Sequence, residues 1–464
     1  MKLYSPFFII GASRTEPSSH CLREPHVDIL LQLITSRMEG PTIQLKYGTG
    51  EITANLQKKN IIQIVEPFEI EATDERAEIK KAMENPIGTK RLREIASEKK
   101  RHKKRLNVVI IVSDITRPTP TERLIPYIIN ELTDAGIRDE DVTIIFALGI
   151  HRKLETNEMA RLVGNNVFNR FRCINHDPTN CIFVGTTRQG TAVEANREVL
   201  EADIRVCIGS IELHYFAGYT GGYKSILPGI CARSTIETNH RLMLEPTASA
   251  GRTDSPVRID MEEAAKFVGC DFILNVVLNG KKQIVKAVAG DPIEAHREGI
   301  KVVDSMYIVP IKELADVVVV SAGGAPKDIN VFQSQKALDN AKFAVKNGGT
   351  IILVAQCPEG LGDRVFERWI NEAKNRQELI DRLDIAFELG GHKAGILAKL
   401  MEQVDVYLVS DLEKGLVERT FFMCANDVND AVDAAVAKCG SDTKLILMPH
   451  GAYTLPRYQP QRNF

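Results

Sequence analysis

Several features are scarce or missing in this chain of 464 residues, and each absence removes a class of function. The formal net charge is only −2, so no broad basic field suits nucleic acid or an anionic membrane surface. No apolar run is long enough to span a bilayer. Nine cysteines occur, but the count is odd, the spacing is scattered and no CxxC pair exists. That excludes a disulfide framework and a zinc knuckle. Cysteine inside apolar runs such as "IRVCIGS" and "ILVAQC" serves as a small hydrophobe, and a cytoplasmic location in a reducing compartment is expected. There is no dinucleotide GxGxxG fingerprint and no Walker A loop. Low-complexity tracts and short repeats are also missing. The single tryptophan, Trp369 in "RVFERWI", reads as a helix face turned to a core.

The composition that remains is that of a globular α/β protein, with 44% hydrophobic and 26% charged residues. Its length suggests two or three domains. Residues 1–37 form a poorly patterned extension and a poor signal peptide. From Met38, "EGPTIQLKYGTGEITANL" reads as a β-hairpin around Gly48-Thr49-Gly50. The basic run "ASEKKRHKKR" reads as a solvated helix end. After it, buried-type strands alternate with helices: "LNVVIIVSD", the amphipathic "TERLIPYIINELTDAG", "DVTIIFALG", a helix through "AVEANREVLEA", and "ADIRVCIGSIEL". A second such set includes "ADVVVVSAGG", "TIILVAQC", "VDVYLVSD" and "TKLILMPHG". The expectation is two α/β domains, 38–305 and 306–464, each with a mainly parallel sheet flanked by helices.

Ligands of open α/β sheets bind at the carboxyl ends of strands, which directs attention to the residues that follow each strand. Asp114 and Arg117 lie in the Pro-stiffened turn "SDITRPTP", where a guanidinium fork suits carboxylate or phosphate. His151 follows "TIIFALG". His214 opens "HYFAGYTGGYKSILPGI", in which Gly218, Gly221 and Gly222 let backbone approach an anion. Lys224 ends that loop, and the apolar "SILPGI" behind it suggests partial burial. His240 lies in "STIETNHRLM", with Ser234 or Thr235 as the expected helix cap. In the second domain Gln333 and Lys336 sit near a helix start, and His392 follows two glycines.

Together these motifs resemble the nickel-dependent lactate racemase family, from about Met38 to the end of the chain. The matching elements are Asp114-x-x-Arg117, Gly149-x-His151, His214 ten residues before Lys224, His240 sixteen after it, and Gln333-x-x-Lys336. The resemblance implies an active site in the interdomain cleft and a nickel-pincer nucleotide. This is a pyridinium-3,5-bisthiocarboxylic acid mononucleotide, tethered covalently to Lys224 in the N-terminal domain. It implies His240 as the protein ligand to nickel and Asp114, Gly218, Gly221 and Gly222 at the cofactor. It further implies His151 and His214 as the two catalytic bases, with Arg117, Gln333 and Lys336 holding the substrate. A square-planar nickel with sulfur donors and one imidazole is chemically reasonable.

The activity implied is racemisation or epimerisation at C2 of a small 2-hydroxy acid by reversible hydride transfer. The partners implied are that substrate and the cofactor's biosynthesis and insertion enzymes, with no nucleic acid and no membrane. One departure stands out: lactate-specific members carry tryptophan where this chain carries His392, which implies a larger or more polar substrate than lactate. Two other readings use the same scaffold: a redox enzyme releasing a 2-keto acid, and a non-catalytic nickel-nucleotide binding protein.

Overall fold

A computed structural model describes residues 42–56, 60–385 and 387–460. The extension 1–37 and the start of the folded unit at Met38 lie outside the described residues. The N-terminal sheet has six strands, in spatial order Ile284–Gly290, Phe272–Leu278, Ile204–Ser210, Val108–Ser113, Val142–Ala147 and Arg172–Asn175. Five run parallel, and Ile284–Gly290 is an antiparallel edge. The run "VVIIV" forms a strand because its β-branched side chains pack on both faces. Val108, Ile110 and Val112 enter one core, while Val109 and Ile111 enter the other. Helices such as Thr121–Asp134 and Pro256–Val268 cover those faces.

The second sheet is wholly parallel, in the order Met423–Cys424, Asp405–Val409, Val345–Val354, Ala315–Ser321, Leu445–Met448 and Ile61–Ile64. Its central strand divides in the same way, with Val318 and Val320 on one side and Val317 and Val319 on the other. The expected core position of Trp369 is observed, at 1% exposure. Among the described residues, no helix is long and apolar enough to cross a membrane.

Two expectations need correction. The hairpin forms as read, Thr42–Tyr47 against Gly50–Asn55, but it does not join the N-terminal unit. Leu45, Ala54 and Leu56 pack with Val317, Val319 and Ile352 under the second sheet. The following strand Ile61–Ile64 pairs with Leu445–Met448, so residues 42–56 and 60–65 belong physically to the C-terminal unit. Alternation of residues identifies a strand but not the sheet it joins. The second correction concerns "AVEAN", which is a strand, Ala192–Asn196, paired with Cys181–Thr186. Asn196 caps the short helix Arg197–Glu201 by accepting from the backbone N–H of Glu198 at 3.0 Å, so the helix cannot begin earlier.

The chain crosses between units again after helix Glu294–Tyr307, where Ile308–Ile311 pairs in parallel with Leu455–Tyr458. The sheets are thus linked by two chain crossings. Leu45→Ala, at a fully buried position, should cost about 2–5 kcal/mol of stability in urea titration. Hydrogen exchange should quicken in Ala315–Ser321 and leave Val108–Ser113 unchanged if the hairpin belongs to the second unit.

Candidate active site

Three parallel strands end at one cleft in the N-terminal unit. It is lined by Ser113, Asp114 and Arg117 after the first, Gly149 and His151 after the second, and Ser210 after the third, together with Gly221 and Lys224. Asp114 is 4% exposed. Its Oδ1 accepts from the Thr116 backbone N–H (3.0 Å) and hydroxyl (2.6 Å). Its Oδ2 lies 2.6 Å from His151 Nδ1. Burial acts to raise the Asp114 carboxyl, but hydrogen bonds from His151 and Thr116 outweigh it and hold the group below the usual carboxylate range. A carboxylate at Nδ1 places the proton there and leaves the His151 Nε2 lone pair free to act as a base.

The aromatic ring of Phe216, 4% exposed, organises the opening loop. His214 packs edge-on to it at 4.5 Å between ring centroids, and His240 at 5.0 Å. Lys224 Nζ lies 5.6 Å from its centroid. The Lys224 amine is buried, and it is held well below its usual value by burial and by the charges of Arg117 and Arg258. The same cause, desolvation first and then Lys224, lowers His214 and His240 well below the ordinary histidine range. His214 Nδ1 accepts from the Ala217 backbone N–H at 3.3 Å, so its proton resides on Nε2. His240 Nδ1 is buried without a hydrogen-bond partner among the described residues.

The second unit closes the site. Lys336 Nζ donates to Gln333 Oε1 at 2.9 Å. Burial, Lys393 and Lys327 bring the Lys336 amine down to about 7, and its charge in turn acts on His214. Asn330 caps the helix Val331–Ala341 that carries both residues. His392 begins helix His392–Leu400 at 3% exposure.

The candidates Asp114, Arg117, His151, Gly221 and Lys224 therefore share one cleft. His214, His240, Lys336 and His392 are coupled to this group or to one another by charge. Two glycines are not where the sequence suggested. Gly218 lies in a two-residue ladder opposite His214, with φ +75°, and a Cβ there would strike the Arg252 carbonyl oxygen. Gly222 donates its N–H to Asn275 Oδ1 at 2.7 Å, and a Cβ there would meet the His296 ring. Both glycines serve close packing, because their backbone groups are already spent within the protein. The helix holding His240, Arg233–Arg241, also lacks the expected cap. Thr235 is internal to it and donates to the Ala192 carbonyl at 2.7 Å.

Several supporting residues escaped the sequence reading. Ser113 and Ser210 could have been found by the strand-end rule, since each closes its strand. Arg258, His296, Asn275 and Asp260 could not, because their roles depend on tertiary neighbours. Arg258 is fully buried and donates Nε to the Ala217 carbonyl at 3.2 Å and Nη2 to that of Tyr219. His296 holds the Thr220 carbonyl at 2.7 Å. Asp260 accepts from Thr191, Thr187 and Asn239, and so anchors the helix that presents His240.

The fold and site define a two-domain α/β enzyme that holds buried lysines and histidines between its sheets. Profiles of the lactate racemase N-terminal domain and of the lactate racemase C-terminal domain match residues 47–251 and 311–455. A lactate racemase of Thermoanaerobacterium thermosaccharolyticum is 34% identical over 433 residues, 89% of this chain and 99% of that protein. A lactate racemase of Lactiplantibacillus plantarum is 30% identical over 424 residues, 88% and 98% of the two chains. The structure of the T. thermosaccharolyticum lactate racemase apoprotein superposes with a TM-score of 0.83 at 33% identity, covering 90% of this chain and 100% of that one. The chain belongs to the lactate racemase family and is an isomerase.

His392 favours its neutral form in the fold, where burial and Lys393 bring it to about 3. The unfolded chain binds that proton below about 6.5. This contribution to stability is therefore complete above that pH and is lost as pH falls through the window toward 3. In thermal melts between pH 7 and pH 4, His392→Gln should show a shallower fall in Tm than the parent protein.

Proposed function

We propose that the protein inverts the C2 centre of a 2-hydroxy acid, with a nickel-pincer nucleotide attached through Lys224. The observation that carries this reading is the convergence of a buried amine, an Asp-bound histidine and Arg117 on one cleft at three strand ends. The relatives named lactate racemase support the substrate class.

The residues present suit such a cofactor. Burial first, and then Arg117 and Arg258, disfavour the ammonium form of Lys224, which favours the neutral amine that can form a covalent bond through nitrogen. The orphaned, buried His240 Nδ1 marks a ring whose polar atoms are not all committed to the protein. Among the described residues no group of three or more His, Cys, Asp and Glu could hold a metal ion, so the other donors would come with the nucleotide. Gly149 and Gly229 keep backbone close to the cleft, and Ser113 and Ser210 place hydroxyls on it. Lys224 and His240 would hold the group, and what it supplies when bound is a reversible hydride acceptor.

The protein's own part is binding and proton management. Arg117, Lys336 and Gln333 bind the carboxylate and hydroxyl oxygens; the desolvated site strengthens those interactions. His151 takes the hydroxyl proton at Nε2, with Asp114 stabilising the resulting imidazolium. His214 is the base for the other enantiomer. Its Nδ1 is engaged by Ala217, so base duty there requires the ring to change tautomer or loosen that contact. A route that avoids deprotonating C2 is needed, because that proton sits beside a carboxylate and is very weakly acidic.

Chiral chromatography of cofactor-loaded protein in deuterated solvent tests the reading. The centre should invert with little deuterium incorporated at C2; extensive incorporation would sink the hydride route. His151→Ala and His214→Ala should each lower kcat/KM roughly a hundredfold to ten-thousandfold. Full activity in either variant removes that residue from the base role.

A further inference from the structure

His392 carries a feature that binding a plain 2-hydroxy acid does not use. The Gly390 backbone N–H donates to its Nδ1 at 3.1 Å. Nδ1 also lies 3.4 Å from the Glu388 carbonyl, but the Gly390 N–H is the closer partner and can only donate, so Nδ1 holds a lone pair and the ring proton is on Nε2. That Nε2 is buried and has no hydrogen-bond partner among the described residues. Leaving a buried donor unpaired costs roughly tenfold to a hundredfold in an equilibrium constant. Such a group needs an explanation, and a ligand that accepts from it is one.

The ring is fixed rather than free to turn away. It stacks on Phe387 at 5.0 Å and 27°, and its residue is 3% exposed. It also lies at the seam between the two units. Phe387 and Ile396, on either side of it in sequence, pack on the N-terminal core. The adjoining Lys393 sets its ammonium 5.4 Å from the Tyr215 ring centroid of the N-terminal unit. Lys393 Nζ is already engaged by the Phe332 carbonyl at 2.7 Å. Burial keeps the imidazole neutral at physiological pH, so it offers a neutral N–H and no positive charge for a second carboxylate.

We propose that His392 is a specificity-determining residue whose Nε2–H reads an oxygen on C3, so that the substrate is a 2-hydroxy acid oxygenated at that carbon, with glycerate as its smallest member. This rests on the reading of the site as a 2-hydroxy-acid racemase. A methyl group at C3, as in lactate, would leave the donor unpaired inside the closed site. A C3 hydroxyl accepts from it.

The test compares kcat/KM for glycerate and lactate in protein produced together with the cofactor biosynthesis enzymes. Glycerate should be preferred by roughly tenfold to a hundredfold. In His392→Phe the glycerate-to-lactate ratio should collapse toward one. His392→Gln keeps an N–H near the Nε2 position and should retain the preference. A parent enzyme that handles lactate as well as glycerate overturns the proposal, as does a Phe variant that keeps the preference. If neither acid, nor any other 2-hydroxy acid, is racemised, the racemase reading falls and this proposal falls with it. Racemisation without the preference removes only the role of His392.

Discussion

A primary amine buried at the mouth of a parallel sheet, beside other cations, sets the terms for the whole site. Lys224 is enclosed beside the ring of Phe216, and the charges that act on it are those of Arg117 and Arg258. Enclosure in a low-dielectric space disfavours its ammonium form, and burial in the same space disfavours the charged forms of His214 and His240. Neutral imidazoles can accept protons or bind metal; neutral amines can form covalent bonds. One act of burial thus prepares three chemical groups.

The rest of the fold maintains that burial. The loop 214–230 is gripped from behind by Arg258 and His296 through backbone carbonyls, and by Asn275 through the Gly222 N–H. Asp260, satisfied by two threonines and Asn239, anchors the helix that brings His240 to the ring of Phe216. The second unit adds Lys336 from the middle of one helix and His392 from the start of another. The two chain crossings tie the halves together, and the hairpin is lodged under the second sheet.

Legibility in the sequence followed the range of the interactions. "VVIIV", "TIIFA" and "ADVVVV" were readable as strands because burial on both faces demands continuous β-branched runs, and the strand-end rule then led to Asp114, His151 and His214. The hairpin was readable, but the unit it packs on was not, since residue alternation carries no information about Val317, Val319 and Ile352 far along the chain. Gly218 and Gly222 signalled backbone freedom but not what approaches them, which proved to be Arg252 and His296. Phe216 looked like one aromatic among several, and only the folded loop makes it the surface shared by Lys224, His214 and His240.

The account depends most on Lys224 serving as an attachment point rather than as a binding charge. Peptide mass spectrometry of protein produced with the cofactor biosynthesis enzymes tests this directly. The account predicts a nucleotide-derived mass addition confined to the peptide carrying Lys224, lost in Lys224→Arg. Racemase activity from protein whose Lys224 peptide is entirely unmodified would contradict it.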